Sequence, residues 1–218
     1  MKVGAVIVAA GRGVRAGGGK PKQWRALLGK TVADYTLQAF SHHPSVDSTV
    51  VVMHPDDIGT HSMANVACVS GGETRSASVL AGLLYLEGLV DKVLIHDAAR
   101  PCVTQKVISD VIKALETSDA AAPAVPVVDA LWTGKNGKVT GTADRDGLFR
   151  AQTPQGFDLA AITRAHKQFP EGGADDVELA RRAGMEVQIT QGDEDNLKIT
   201  LPADFARAEV ILKGRNGY

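Results

Sequence analysis

Directly after an apolar run, Val3 to Ala9, the chain reads AGRGVRAGGGKPKQWR. Gly11, Gly13, Gly17, Gly18 and Gly19 remove side chains where a backbone must approach a ligand closely. Successive backbone N–H groups in such a turn form a concavity suited to an anion. Arg12, Arg15, Lys20, Lys22 and Arg25 add positive charge. The combination points to a phosphorylated ligand, with a solvated surface loop as the plainer alternative. The Walker A pattern does not fit, because Pro21 follows Lys20 where Ser or Thr is required. Gly11, Gly13 and Ala16 do fit the dinucleotide pattern, and Asp34 lies near the expected distance for a ribose-binding acid. That pattern needs a helix to start within it, and Gly17 to Gly19 with Pro21 break one. The loop is therefore expected to wrap its ligand as an extended segment.

Three further clusters carry chemistry. In SGGETRSASV, residues 70–79, two glycines permit a tight turn before a helix. Ser78 is a candidate for a base or sugar, while Thr74 or Ser76 can cap the helix. In LIHDAARPCV, residues 94–103, Asp97 stands just past an apolar strand, where it can hold a magnesium ion. Arg100 can grip a second phosphate by a two-pronged contact, or the two can form a simple ion pair. Arg145 and Lys198 can add two more charges, although by themselves they read as turn and surface residues. His42, His43, His54, His61, His96 and His166 are scattered, with no HExxH, and there is no GxSxG elbow. The chemistry implied is phosphate handling without a nucleophilic side chain.

The elements that must position these groups alternate in type. Strands are expected over Val3–Ala9, Val50–Met53, Val66–Val69, Val93–His96, Ala120–Val128 and Val187–Thr190. Helices are expected over Thr31–His42, Ser76–Leu86, Val107–Leu115, Leu159–Gln168, Asp175–Ala183 and Pro202–Leu212. Leu197–Thr200 reads as one more short element. Such alternation predicts an α/β fold, a Rossmann-like, mostly parallel twisted sheet with helices on both faces. Sites in such sheets sit at the carboxyl ends of the strands. The Asn136-Gly137 pair predicts a hairpin, and with it an arm over about 130–150 that projects from one domain spanning 1–218.

Bulk properties narrow the function. Twenty-four basic and 25 acidic residues give a net charge of -1, which argues against nucleic-acid binding through bulk positive charge. The longest early apolar run is too short to span a bilayer, and basic residues follow it in place of a cleavage site, so Met1 reads as a mature N-terminus. Cys68 and Cys102 show no metal-ligand spacing and read as reduced thiols of a cytoplasmic protein.

AAGRGVR, KPKQW, GGETRSASV, HDAARP, DRDGLFRAQTPQ and DNLKIT occur here in that order. Over essentially its full length the chain resembles the bacterial 2-C-methyl-D-erythritol 4-phosphate cytidylyltransferase family. AAGxGxR marks only the wider sugar-nucleotidyltransferase class, whereas HDAARP with the TPQ block is far more specific. The resemblance implies transfer of the cytidylyl group of CTP to 2-C-methyl-D-erythritol 4-phosphate, with release of pyrophosphate, in non-mevalonate isoprenoid synthesis. By motif match it implies CTP contacts at Ala9, Ala10, Gly11, Gly13, Arg15, Lys22, Gly72, Glu73 and Ser78. It implies Mg2+ or another divalent cation at Asp97, and Arg100, Arg145, Thr153 and Lys198 around the alcohol phosphate. It further implies a homodimer in which one subunit's arm reaches the other's site. Of these residues, Arg15, Lys22, Arg145 and Lys198 are expected to carry catalysis by supplying charge.

Two positions depart from the family pattern. Ala130 and Ala174 stand where threonines are usual, both on the alcohol side, and Asp129 is the remaining candidate there. A cytidylyltransferase for another polyol phosphate, such as ribitol 5-phosphate, is the nearest alternative. A nucleotide-binding dehydrogenase and a non-catalytic nucleotide sensor are more distant ones.

Overall fold

The computed structural model describes residues 1–12, 19–61 and 66–216. In chain order the strands and helices begin with β1 (Val3–Ala9), β2 (Ala26–Leu27), β3 (Lys30–Thr31), α1 (Val32–Ser41), β4 (Ser48–Met53) and β5 (Ala67–Ser70). They continue through α2 (Arg75–Leu86), β6 (Lys92–Asp97), α3 (Gln105–Ala114), β7 (Ala120–Pro126), β8 (Leu131–Lys135) and β9 (Lys138–Ala143). The chain closes with β10 (Phe149–Ala151), β11 (Gln155–Asp158), α4 (Leu159–Gln168), α5 (Asp176–Arg182), β12 (Val187–Gln191) and α6 (Ala203–Asn216).

Residues of β1 alternate between two apolar layers, as the period-2 geometry of a strand requires. Val3, Ala5, Ile7 and Ala9 pack with Ala33, Leu37 and Phe40 of α1 and with Val107, Ile108 and Val111 of α3. Val6 packs on the other face with Val79 and Leu83 of α2 and Ile162 of α4. A strand sandwiched in this way must be apolar on both sides, which is why VGAVIVA shows no polar alternation. β1 runs parallel to β4 and to β6, and β4 runs parallel to β5. Their carboxyl ends therefore open on one edge of the sheet.

The sheet order is β10-β7-β11-β6-β1-β4-β5, with β12 also paired to β7. The strands β10 and β11 are absent from the expected list, and β11 is antiparallel to both neighbours, β6 and β7. Its sequence, QGFD, has neither alternation nor β-branched residues. Space decides it instead: a Cβ on Gly156 would lie 2.7 Å from Val111 and 2.8 Å from Leu115, so α3 can pack only on a glycine there. The strand expected to reach Val128 ends at Pro126. Leu197–Thr200 forms no strand; it is fixed by Ile199 N–H donating to the Ala99 carbonyl and by Ile199 packing with Leu27, Val32, Cys102 and Leu212. The last helix runs past Leu212 to Asn216.

The hairpin forms as expected. β8 and β9 make a separate two-stranded sheet around Asn136 and Gly137, whose φ angles are 51° and 75°. Left-handed backbone at both turn positions is what a tight two-residue hairpin demands.

Candidate active site

The cavity at the strand ends has a volume of about 430 Å3. Ala9, Ala10, Gly11 and Arg12 reach it from the end of β1, Asp97 from the end of β6, and Gly72, Glu73, Thr74, Arg75 and Ser78 from the turn into α2. Lys22, Gln23 and Lys198 close it from loops. Each wall has a local cause. Thr74 caps α2 by accepting from Ala77 N–H. Ser78 is buried, accepts from Gly72 N–H at 3.2 Å and lies 2.9 Å from the Thr74 carbonyl, so its hydroxyl shapes the GG turn. A Cβ on Gly72 would meet that of Ala77 at 2.6 Å, which is why the turn needs glycine there. Gln23 donates to the carbonyls of Ala9 and Gly11, both at 2.7 Å, and ties the far end of the Gly-rich loop to its start. Pro21 leads into a short 3-10 turn over Lys22–Trp24, and Asp34 is spent in a capping box with Thr31. Neither suits a dinucleotide fold.

Asp97 is the electrostatic centre. Lys198 Nζ lies 2.9 Å from its Oδ2, Arg100 Nε lies 3.8 Å from Oδ2, and Arg75 Nε lies 3.8 Å from Oδ1. Burial alone would raise its pKa, but Lys198, Arg75 and Arg100 outweigh burial and hold it well below the ordinary carboxylate range. Behind it, His96 is fully buried, and burial, reinforced by Arg100 and Lys198 against the pull of Asp97, lowers its pKa to about 3. His96 is thus neutral at pH 7. Its Nε2 faces the Arg100 carbonyl at 3.3 Å, which can only accept, so the proton sits on Nε2. Its bare Nδ1 then accepts from the Thr153 hydroxyl at 2.9 Å, and Thr153 Oγ1 accepts from Asp97 N–H at 3.3 Å. The backbone of Asp97 is fixed by this relay.

Among the expected site residues, Ala9, Ala10, Gly11, Lys22, Gly72, Glu73, Ser78, Asp97 and Lys198 line one cavity. Gly13 and Arg15 lie outside the described residues. Thr153 and Arg100 stand behind the cavity: Thr153 is buried against His96, and Arg100 donates to the Asn196 carbonyl at 2.7 Å. Asp129 and Arg145 are exposed at the base of the arm, away from the cavity lining, and Arg145 donates to the Val128 carbonyl. Arg12, expected as one of the five basic residues of the loop, lines the cavity as well, and so do Gln23 and Arg75, which were not among the expected contacts. The local signal that could have flagged Arg75 is its positive charge at the helix start directly after the two glycines.

The profile of the family described as 2-C-methyl-D-erythritol 4-phosphate cytidylyltransferase, IspD, matches residues 3–214. The chain belongs to that family. A Roseobacter denitrificans protein named as such a cytidylyltransferase is 68% identical, with 100% of both chains covered. A Paracoccus denitrificans protein named as a bifunctional IspD/IspF enzyme is 58% identical over 95% of this chain, which spans 55% of that relative. Among solved structures, a 4-diphosphocytidyl-2C-methyl-D-erythritol synthase is 33% identical with a TM-score of 0.84, covering 97% of this chain and 99% of that one. The family's cytidylyltransferase from Thermus thermophilus is 30% identical with a TM-score of 0.83, covering 98% and 100%. The chain is therefore a nucleotidyltransferase, its reaction the cytidylyl transfer to 2-C-methyl-D-erythritol 4-phosphate that the family description names. Its mostly parallel sheet between helices is the fold of those structures. Among the described residues, no helix is long and apolar enough to cross a membrane.

Proposed function

We propose that the cavity at the ends of β1 and β6 holds CTP, and that 2-C-methyl-D-erythritol 4-phosphate meets its α-phosphorus beside Asp97 and Lys198. A phosphate oxygen of the alcohol substrate forms a bond to the α-phosphorus as the bond to the bridging oxygen of pyrophosphate breaks. Pyrophosphate leaves with the electron pair, and no proton transfer is required. Two anions must approach each other, so catalysis rests on positioning and on positive charge. Ala9, Ala10, Gly11, Gly13, Gly72, Glu73 and Ser78 are assigned to the nucleotide, and Arg15 and Lys22 to its phosphates. Lys198, Arg100, Arg145, Asp129 and Thr153 are assigned to the alcohol phosphate, with Thr153 acting from behind through His96 and Asp97.

A divalent cation suits this site. Among the described residues no group of three or more His, Cys, Asp or Glu could cage a metal. Mg2+ needs no such cage, since it takes one or two carboxylates together with substrate phosphates and water. Asp97, ionised at the cavity wall, fits that donor set, and Mg2+ held there would supply positive charge to the phosphoryl oxygens. The exposed arm, with Val128, Trp132 and Val139 each more than half exposed, supports a homodimer in which Asp129 and Arg145 serve a partner's site.

One observation carries the reading: a carboxylate held ionised by Lys198, Arg75 and Arg100 in the wall of a glycine-lined cavity. A pyrophosphate-release assay across several nucleoside triphosphates, with 2-C-methyl-D-erythritol 4-phosphate and ribitol 5-phosphate side by side, tests it. Release with CTP and the former only is expected; release with ribitol 5-phosphate alone would reject it.

A further inference from the structure

Arg75, the first residue of α2, lines the cavity and faces two carboxylates. Its Nη1 and Nη2 donate to Oδ1 and Oδ2 of Asp176, at 3.0 and 2.7 Å. Its closest approach to Asp97 is Nε, at 3.8 Å from Oδ1, beyond hydrogen-bond reach. The Asp176 side chain is 1% exposed and heavily restrained. Its backbone N–H donates to Gln155 Oε1 at 3.1 Å, and the same oxygen receives Val177 N–H at 3.2 Å. Gln155 Nε2 in turn donates to Asp175 at 2.8 Å. His166 Nε2 lies 3.2 Å from Asp176 Oδ1, while His166 Nδ1 pairs with Ser76 at 2.9 Å. A buried carboxylate, anchored from β11, α4 and α5, thus takes both arms of the guanidinium fork.

We propose that Asp176 is a positioning residue that keeps Arg75 from closing onto Asp97, and so leaves Asp97 Oδ1 open to the divalent cation. The inference rests on the reading that Asp97 holds that cation. A planar guanidinium binds a carboxylate best in a two-pronged fork. Asp97 already has Lys198 on Oδ2 at 2.9 Å, so Oδ1, with no hydrogen-bond partner among the described residues, is the oxygen Arg75 can capture. With the charge of Asp176 gone, the strongest neighbouring anion for Arg75 is Asp97. A shift of about one ångström would turn the 3.8 Å approach into a hydrogen bond of ordinary length, in competition with the metal.

The test uses the full chain, with Mn2+ as the probe and no alcohol phosphate present. Calorimetric titration of CTP with and without excess Mn2+ yields the gain in CTP affinity that the cation confers. Asp176→Asn is expected to cut that gain about tenfold, the lower end of the loss seen when an outer partner of a metal ligand is removed. The double variant Arg75→Ala/Asp176→Asn is expected to restore the gain at least to the wild-type level, because no competitor remains. If Asp176 served only the fold, Asp176→Asn would lower the melting temperature and leave the gain unchanged, and that result overturns the proposal. So does a double variant no better than Asp176→Asn. Should Asp176→Asn fail to fold, Arg75→Ala alone decides: an equal or larger gain supports the proposal, and a smaller one rejects it. Asp97→Asn separates the two levels of the argument. A lost gain there, beside a wild-type gain in Asp176→Asn, removes only the restraint on Arg75. A wild-type gain in Asp97→Asn removes the cation reading with it.

Discussion

The cavity and the arm are built on opposite principles. Around the cavity, carboxylates are sunk into the protein and matched: Asp97 and Asp176 are 13% and 1% exposed, and each faces Arg75, which reaches them from the cavity wall. Along the arm, Trp132 and Val128 are 68% and 69% exposed, and Asp129 and Arg145 are exposed as well. A buried ion pair is costly to assemble and costlier to break, so a site built from such pairs is finished when the chain folds. A surface hairpin with bare apolar residues is not finished in that sense and has area left to bury. The nucleotide end should therefore work within one chain, and the alcohol end should depend on a second copy.

The contrast can be attacked at several strengths. The largest effect is expected from Asp97→Ala, which strands Lys198, Arg75 and Arg100 around an empty position. Turnover should fall a hundred- to a thousandfold, about 3 to 4 kcal/mol of barrier, with the circular-dichroism melt still cooperative. Near-normal turnover would take Asp97 out of the mechanism, and the same measurement on Lys22→Ala grades its share.

Next comes Asp176→Asn, read as stability. Burial would raise the pKa of Asp176, but the close approach of His166, at 3.2 Å, and the charge and two hydrogen bonds of Arg75 lower it below its ordinary value. Its contribution is therefore full above the unfolded pKa, roughly 3.9, and is lost as pH falls through the lower folded value, because the unfolded chain takes up a proton first. Urea melts should show the variant less stable by about 3 kcal/mol at pH 7. The gap to the native chain should narrow below about pH 4. A gap independent of pH would mean that the carboxylate charge is not what stabilises.

Trp132→Asp probes the arm. Exposed tryptophans at interfaces commonly carry about 2 kcal/mol, so dimer dissociation in sedimentation should rise about thirtyfold. The KM for the alcohol phosphate should rise with it while CTP affinity stays put. Loss of CTP binding in that variant would erase the contrast between the two regions. The smallest effect is expected from Gly137→Ala, where φ is 75°. Left-handed backbone should cost about 1 kcal/mol and loosen the dimer slightly, without touching the nucleotide.

Several elements were legible because their causes are local. The ends of β1 and of α4 fall where apolar runs and spacing put them, and the Asn136-Gly137 turn follows from the backbone freedom of its two residues. Helix starts were readable to within a residue or two: Thr74 caps α2 as one of the two candidates, Leu159 opens α4 as expected, and α3 begins at Gln105, two residues before the expected Val107, because Thr104 caps it. Strand β11 was not legible, because QGFD is extended only by virtue of lying between β6 and β7. Asp176 was not legible either: it reads as one of a pair of acids opening a helix, and nothing local distinguishes a capping Asp175 from a buried ligand of Arg75.

By itself, then, the sequence determined the alternation of strands and helices, the glycine-rich turns and the set of charged residues that a phosphate-transferring site requires. Backbone propensity, capping and periodicity act within a few residues, so they are written where they act. Tertiary structure alone decided which charges meet. Arg75 and Asp176 are 101 positions apart, and their pairing exists only because α4 packs against both α2 and α5 and brings the starts of those two helices together. Electrostatic energy depends on distance and burial, and neither quantity is a property of a stretch of sequence.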